Sequence, residues 1–105
     1  LNSRFSLDCA CRLAGNVLRS SGADPAKQIA EAFRQVLGRT PTSSEQQEAE
    51  MFFKAANEAG LESTASIDPA TLPVPLPEAI GELQGAALVD LCLALLNSSE
   101  FIYLE

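Results

Sequence analysis

An almost uninterrupted apolar run, residues 86–96, constrains the fold of this chain more than any other stretch. It reads Ala-Ala-Leu-Val-Asp-Leu-Cys-Leu-Ala-Leu-Leu, and Asp90 is its single charged residue. A helix that is apolar on every side except for one residue is buried all round, or nearly so, and this run is shorter than the roughly 20 apolar residues of a membrane span. It predicts the central helix of a small helical protein, with Cys92 buried, Asn97 ending the helix, and no insertion into a membrane.

Two amphipathic segments near the N-terminus predict two further helices, because their apolar residues recur three or four positions apart. The first covers about residues 3–19. The second begins with Asp24 as its N-cap and Pro25 in its first turn, and it ends at Gly38. The predicted buried face of the first helix is Phe5, Cys9, Leu13 and Val17, with Ala10, Ala14 and Leu18 beside them. That of the second is Ala26, Ile29, Ala30, Phe33, Val36 and Leu37.

A capping box predicts the start of a third helix. Thr42 and Glu45 have the spacing at which the hydroxyl accepts from the backbone three residues on and the carboxylate accepts from the backbone of the cap. The helix should cover about residues 43–59 and end at Gly60, and its buried stripe should consist of Ala49, Phe52, Phe53 and Ala56. Glu45, Glu48 and Glu50 crowd its first half, where the helix dipole favours negative charge, and we interpret them as structural and not as an acid–base pair.

A proline-rich segment separates this third helix from the apolar run. Residues 61–77 contain Pro69, Pro73, Pro75 and Pro77, a density that excludes a regular helix or strand. The segment predicts an extended connection over the bundle, with the alternating Leu72, Val74 and Leu76 facing the core. The complete pattern predicts an all-α fold, a compact four-helix bundle with a proline-rich connection between helices three and four, in a single domain of residues 1–105.

The composition excludes several classes of function. The 14 acidic and 7 basic residues give a net charge of −7, whereas nucleic acids attract a basic surface. The chain has no histidine, which is the commonest general base and metal ligand. Cys9 and Cys11 lie two positions apart on a predicted helix, a spacing that suits neither a mutual disulfide nor zinc. We therefore assign no catalytic, cofactor-binding or metal-binding residue, and the cysteines are interpreted as small buried residues.

Two motifs carry a resemblance to a known family. One is Ala-Leu-Val-Asp-Leu-Cys at 87–92 followed by Leu-Leu-Asn-Ser-Ser-Glu-Phe-Ile-Tyr at 95–103, and the other is Leu-Gly-Arg-Thr-Pro at 37–41 followed by Ser44 and Glu45. Together they resemble the C-terminal end of a planctomycete-specific domain of unknown function. That domain forms the C-terminal end of large exported proteins, which often carry c-type cytochrome domains near the N-terminus. The pair formed by Leu-Gly-Arg-Thr-Pro at 37–41 and Ser-Ser-Glu-Phe at 98–101 is also similar to small helical modules in secreted bacterial adhesins and phycobilisome linkers.

The resemblance implies that the chain is the C-terminal fragment of a larger, extracytoplasmic protein, and the chain begins with Leu1 and not with methionine. The haem motif Cys-x-x-Cys-His is absent, so any haem would belong to other parts of the parent. An exported setting also leaves open a disulfide between Cys92 and either Cys9 or Cys11.

The expected function is that of a non-catalytic structural or interaction module whose partners are other domains of the parent. The alternative is part of a redox or carbohydrate-degrading enzyme whose active site or haem lies elsewhere. Direct carbohydrate binding usually requires exposed aromatic rings, and most of the five phenylalanines fall on predicted core faces.

The resemblance also ties the turn at Arg39 to the C-terminal end of the chain. We expect Arg39 to bind Glu100 or, failing that, Asp90, because a buried carboxylate without a partner is costly and a guanidinium satisfies both of its oxygens. The residues expected to have structural roles are Arg39, Glu100, Asp90, Thr42, Glu45, Asn97 and Cys92.

Overall fold

The computed structural model describes residues 4–63 and 66–98, which form four α-helices and no β-strand. The helices are α1 (Arg4–Ser21), α2 (Pro25–Leu37), α3 (Ser43–Glu62) and α4 (Glu82–Leu96), and a single 3-10 turn (Pro69–Thr71) interrupts the connection before α4. α4 packs against each of the other three helices, while α2 packs against both α1 and α3. This arrangement confirms the predicted all-α helical bundle.

α4 is the central helix, but it is not buried on all sides. Leu88, Val89 and Cys92 are fully buried, whereas Asp90 and Ala94 are exposed. Since residues four positions apart share one face of a helix, Asp90 and Ala94 form one uncovered stripe. The prediction of burial all round, or nearly so, is therefore wrong for this stripe, because the other three helices surround only part of the circumference of α4.

Local signals place the ends of α2 and α4 as the sequence predicted. The carboxylate of Asp24 accepts a hydrogen bond of 3.0 Å from the Ala26 amide at the start of α2. Gly38 ends α2 with a φ of 74°, a left-handed conformation that favours glycine. Asn97 follows the last residue of α4, and its amide donates to the Leu93 carbonyl over 3.0 Å. α4 starts only at Glu82, since the preceding residues 77–80 form a turn.

The buried face of α1 differs from the predicted one. Phe5 is 71% exposed, and Cys9 and Leu13 are only partly buried. The fully packed positions are small or branched residues: Ser6, Ala10, Cys11, Ala14, Gly15, Val17 and Leu18. The face is rotated toward Cys11 and Gly15 because the connection between α3 and α4 lies on that side of α1.

Three contacts join this connection to α1. The Val74 amide donates to the Cys11 carbonyl over 3.0 Å, and the Cys11 thiol lies 3.4 Å from the Ala70 carbonyl. A Cβ on Gly15 would lie 2.1 Å from the Val74 carbonyl oxygen, so only glycine permits this approach. The side chain of Val74 is nevertheless 59% exposed, which corrects the expectation that it faces the core. Its backbone, and not its side chain, makes the contact.

α3 continues past Gly60, so the prediction that this glycine ends the helix is wrong. Gly60 lies within the last turn, and a Cβ built on it would be 2.2 Å from Cδ2 of Leu83. The close approach of Leu83 near the start of α4 therefore accounts for glycine at this position.

Two buried groups complete the packing of the core. Gln28 is fully buried, yet its amide donates to the Gly22 carbonyl over 2.8 Å and accepts from Gln84 over 3.0 Å. These bonds join the start of α2 to the start of α4, and no sequence pattern predicted them.

All three cysteines are free thiols. Burial, with a smaller effect of Cys11, raises the pKa of Cys92 to about 12.

Candidate functional site

A groove between α3 and α4 is the strongest candidate for a functional surface in the described part of the chain. It has a volume of about 440 Å³, and we call it the α3–α4 groove. Five apolar residues and three carboxylates line it: Phe33, Ala49, Phe52, Leu91 and Ala94, with Glu45, Glu48 and Asp90.

The floor of the groove belongs to the core, whereas its edges are open to solvent. Phe33, Ala49 and Leu91 are each at least 90% buried. Phe52 is 41% exposed on the α3 side, and Ala94 is exposed on the α4 side. Phe52 lies beside the buried stripe of α3 because it is one position away from Phe53, which points into the core. The prediction that Phe52 is a core residue is therefore wrong.

An ion pair closes the end of the groove near the turn between α2 and α3. Arg39 donates from one terminal nitrogen to each carboxylate oxygen of Glu45, over 2.8 and 2.9 Å. It also donates to the Thr40 carbonyl over 3.0 Å, and its guanidinium carbon lies 5.7 Å from the centre of the Phe33 ring. This two-bond geometry fixes the turn against both the start of α3 and the floor of the groove.

Glu45 also belongs to the capping box of α3. Its carboxylate accepts from the Thr42 amide over 2.8 Å, and the Thr42 hydroxyl accepts from the Glu45 amide over 3.2 Å. The hydrogen bonds from Arg39, then the one from the Thr42 backbone, lower the pKa of Glu45 to about 2. Glu45 is thus ionised and fully engaged in holding the turn.

The partners expected for Arg39 were Glu100 and, failing that, Asp90, and only Asp90 lies among the described residues. Among these residues the carboxylate partner of Arg39 is Glu45 and not Asp90. Asp90 is exposed on α4, so the argument that a buried carboxylate required a cation does not apply to it. The other expected partner, Glu100, lies outside the described residues.

Asp90 and Glu48 give the groove its unneutralised charge. Partial desolvation by the surrounding apolar groups raises the pKa of Asp90. Within residues 4–63 and 66–98, neither Asp90 nor Glu48 forms an ion pair. The groove therefore presents two free carboxylates, one on each helix, above an apolar floor.

This arrangement is better suited to binding than to catalysis. Both oxygens of Glu45 are held by Arg39, so Glu45 is not available as an acid or base near Asp90. The described residues contain no group of three or more side chains that could hold a metal ion. None of the described helices has the length and apolar character needed to cross a bilayer.

A second depression, of about 460 Å³, lies near the start of α2. Its rim mixes charges of both signs, including Asp24, Glu50 and Lys54. The α3–α4 groove, with an apolar floor and charge of a single sign, is the more specific surface.

Sequence patterns missed the groove because its members come from three helices. The sequence pattern marks Phe33, Phe52 and Leu91 as ordinary core positions. Only the packing of the helices shows that Phe52 is exposed to solvent. The signal that could have found the groove is Asp90, since a single charge in an apolar helix marks the side that faces solvent.

Comparison of the chain with protein-family models, with curated proteins and with solved structures found no match.

Proposed function

We propose that this chain is a non-catalytic helical interaction module that uses the α3–α4 groove to contact other domains of a larger protein. The observation that carries the proposal is the groove itself, in which Phe52 and Ala94 are exposed above a packed floor. Grooves between helices with exposed apolar edges are typical sites for a helical segment of a partner. The free carboxylates suit polar contacts at the rim of such an interface.

The proposed setting comes from the resemblance of the two sequence motifs. They suggest the C-terminal end of an exported, planctomycete-type protein, in which any haem would lie in other domains. The acidic character of the chain and the free charges of the groove favour a protein partner over a nucleic acid, whose phosphates would be repelled.

The proline-rich connection has a structural role in this proposal. Its contacts with α1, through the Val74 amide and the close approach at Gly15, hold it on the side of α1. Through these contacts with α1, the connection would hold α4 in the bundle and leave the α3–α4 groove uncovered.

Hydrogen exchange measures whether the groove is covered. We would compare this chain alone with the complete protein encoded by its gene, following peptides that contain residues 45–53 and 88–95. If the module binds a neighbouring domain, these peptides exchange more slowly in the complete protein, because a covering segment excludes solvent and suppresses local opening.

Peptides from the opposite side of the bundle provide the control. Residues 12–19 of α1 lie away from the groove and should exchange alike in both proteins. Equal exchange at the groove in the two proteins would contradict the proposal.

A further inference from the structure

We infer that the occupant of the α3–α4 groove is an amphipathic helix that carries lysine or arginine beside its apolar face. This inference rests on the proposed function and specifies the chemistry of the partner. The residues that carry it are the free carboxylates of Glu48 and Asp90, which stand on opposite helices and line the same groove as the exposed Phe52 and Ala94.

The dimensions of the groove suit a helix. Along α3 it extends from Glu45 to Phe52, a distance of about 10 Å at the rise of an α-helix. Two turns of a partner helix cover that length and place apolar side chains at positions i, i+3, i+4 and i+7 over the floor.

The charges of the groove select a basic helix over a neutral or acidic one. No lysine or arginine is among the described residues that line the groove, and the guanidinium of Arg39 at its end donates to both oxygens of Glu45. Asp90 is exposed at the edge of the groove beside apolar side chains, so a cation placed next to it would favour its ionised form. A lysine or arginine on each flank of the partner would satisfy Glu48 and Asp90 together.

The same charges disfavour a second copy of this chain. A symmetric dimer through this face would bring Glu48 and Asp90 of one copy against those of the other. Like charges brought together at an interface oppose association, and the net charge of −7 on each copy adds to the repulsion.

The test selects helices on the 105-residue chain. A displayed library of helical peptides of about 16 residues, between four and five turns, would vary the apolar face at four positions and the flanks among lysine, arginine, glutamine and glutamate. We expect enrichment of peptides with basic flanks. Affinities of the enriched peptides, measured by fluorescence anisotropy at two salt concentrations, would then be compared among variants.

Three variants locate the binding surface. Phe52→Ala should weaken binding at least tenfold, as is typical of a central aromatic anchor. Asp90→Asn should weaken binding by about three- to tenfold and reduce its dependence on salt, since a rim charge acts largely through association. Met51→Ala is the matched control, because Met51 is the neighbour of Phe52 on α3 and is 70% exposed, but does not line the groove. It should leave the affinity unchanged.

Several results would overturn the inference. They are the absence of any enriched peptide, enrichment of neutral or acidic flanks, or binding that Phe52→Ala and Asp90→Asn leave intact. Selection that succeeds only with a chain ending at Ser98 would also contradict it, because residues 99–105 would then be the occupant. Slower hydrogen exchange at the groove in the complete protein, together with any of these results, would retain the proposed function and reject only the basic helix.

Discussion

Arg39 donates two parallel hydrogen bonds, of 2.8 and 2.9 Å, to the carboxylate of Glu45 across the turn that joins α2 to α3. The same carboxylate accepts from the Thr42 amide, so one side chain both caps α3 and anchors the turn. Through its guanidinium, Arg39 also covers the Phe33 ring at the floor of the α3–α4 groove. The shape of the groove at this end therefore depends on a pair of residues only six positions apart in the sequence.

Removing Arg39 should destabilise the protein moderately. The side chains of Arg39 and Glu45 are 34% and 35% exposed, so solvent screens the pair. We expect Arg39→Ala to lower the free energy of unfolding by roughly 1–2 kcal/mol, which combines the ion pair with the contact to Phe33. Arg39→Lys should restore only part of this, because an ammonium cannot reproduce both bonds. Urea unfolding measures the difference.

Arg34→Ala is the control for this prediction. Arg34 pairs with Glu31 on the exposed side of α2, three positions apart, and this pair does not join two helices. It should leave the midpoint of unfolding almost unchanged. A loss with Arg34→Ala as large as that with Arg39→Ala would show that the turn has no special role.

The stability of the protein should depend on pH through Glu45 and Asp90, with opposite signs. Glu45 has its pKa lowered from 4.5 to about 2, so it adds stability that is complete above pH 4.5 and is lost as the pH falls toward 2. Glu45→Gln should therefore flatten the decline of stability in that window. Asp90 has its pKa raised above 3.8, so its ionisation removes stability as the pH rises.

Asp90→Asn should consequently stabilise the protein at neutral pH, and the gain should disappear well below pH 3.8, where the carboxyl is protonated in both the folded and the unfolded state. Unfolding curves at a series of pH values would measure both variants. A destabilising Asp90→Asn at neutral pH would mean that Asp90 has a favourable partner.

Replacement by alanine should change the stability of the protein by different amounts at two helical glycines, Gly15 and Gly60. At Gly15 the added Cβ meets the Val74 backbone at 2.1 Å, and the connection would have to move. Gly15→Ala should destabilise by about 1–3 kcal/mol, as is usual for overpacking. At Gly60 the added Cβ meets only the end of the Leu83 side chain, which can rotate away, and alanine favours a helix by about 1 kcal/mol. Gly60→Ala should therefore cost much less, as thermal unfolding would show.

Cys92 should be the slowest of the three thiols to react. It is fully buried and its pKa is raised to about 12, so little thiolate is present near neutral pH. Cys9 is only partly buried and should be labelled first by a bulky thiol reagent. Mass spectrometry of timed samples would identify the order. Labelling of Cys92 in the native protein as fast as in denaturant would contradict its position in the core.

Local sequence signals predicted the helices well because each signal acts within a few residues. The N-cap at Asp24, the left-handed glycine at position 38 and the capping box at Thr42 all satisfy backbone groups of the adjacent turn. Such interactions depend little on the rest of the fold. The number of helices and the starts of α2 and α3 could therefore be read directly from the sequence.

Predictions failed where packing between distant segments decides the outcome. Gly60 has the appearance of a helix end, yet Leu83 approaches it and α3 continues. Phe5 and Phe52 fit apolar stripes but are exposed. A periodic pattern defines the apolar face of a helix, but it does not show how much of that face the neighbouring helices cover. The bonds from Arg39 to Glu45 were not predicted, because Glu45 had already been assigned to the capping box, although one carboxylate can accept several bonds. The expected contact of Arg39 with Glu100 lies outside the described residues.

Photo-crosslinking from Ala94 tests the role of the groove most directly. Ala94 is exposed at the edge of the groove, so a photoreactive amino acid at this position should tolerate the fold and face any occupant. In the complete protein, we predict crosslinks from position 94 to a helical segment of another domain. The same probe at Glu58, an exposed position that does not line the groove, should give none. Equal crosslinking from both positions, or none from position 94, would contradict the assignment of the α3–α4 groove as an interaction surface.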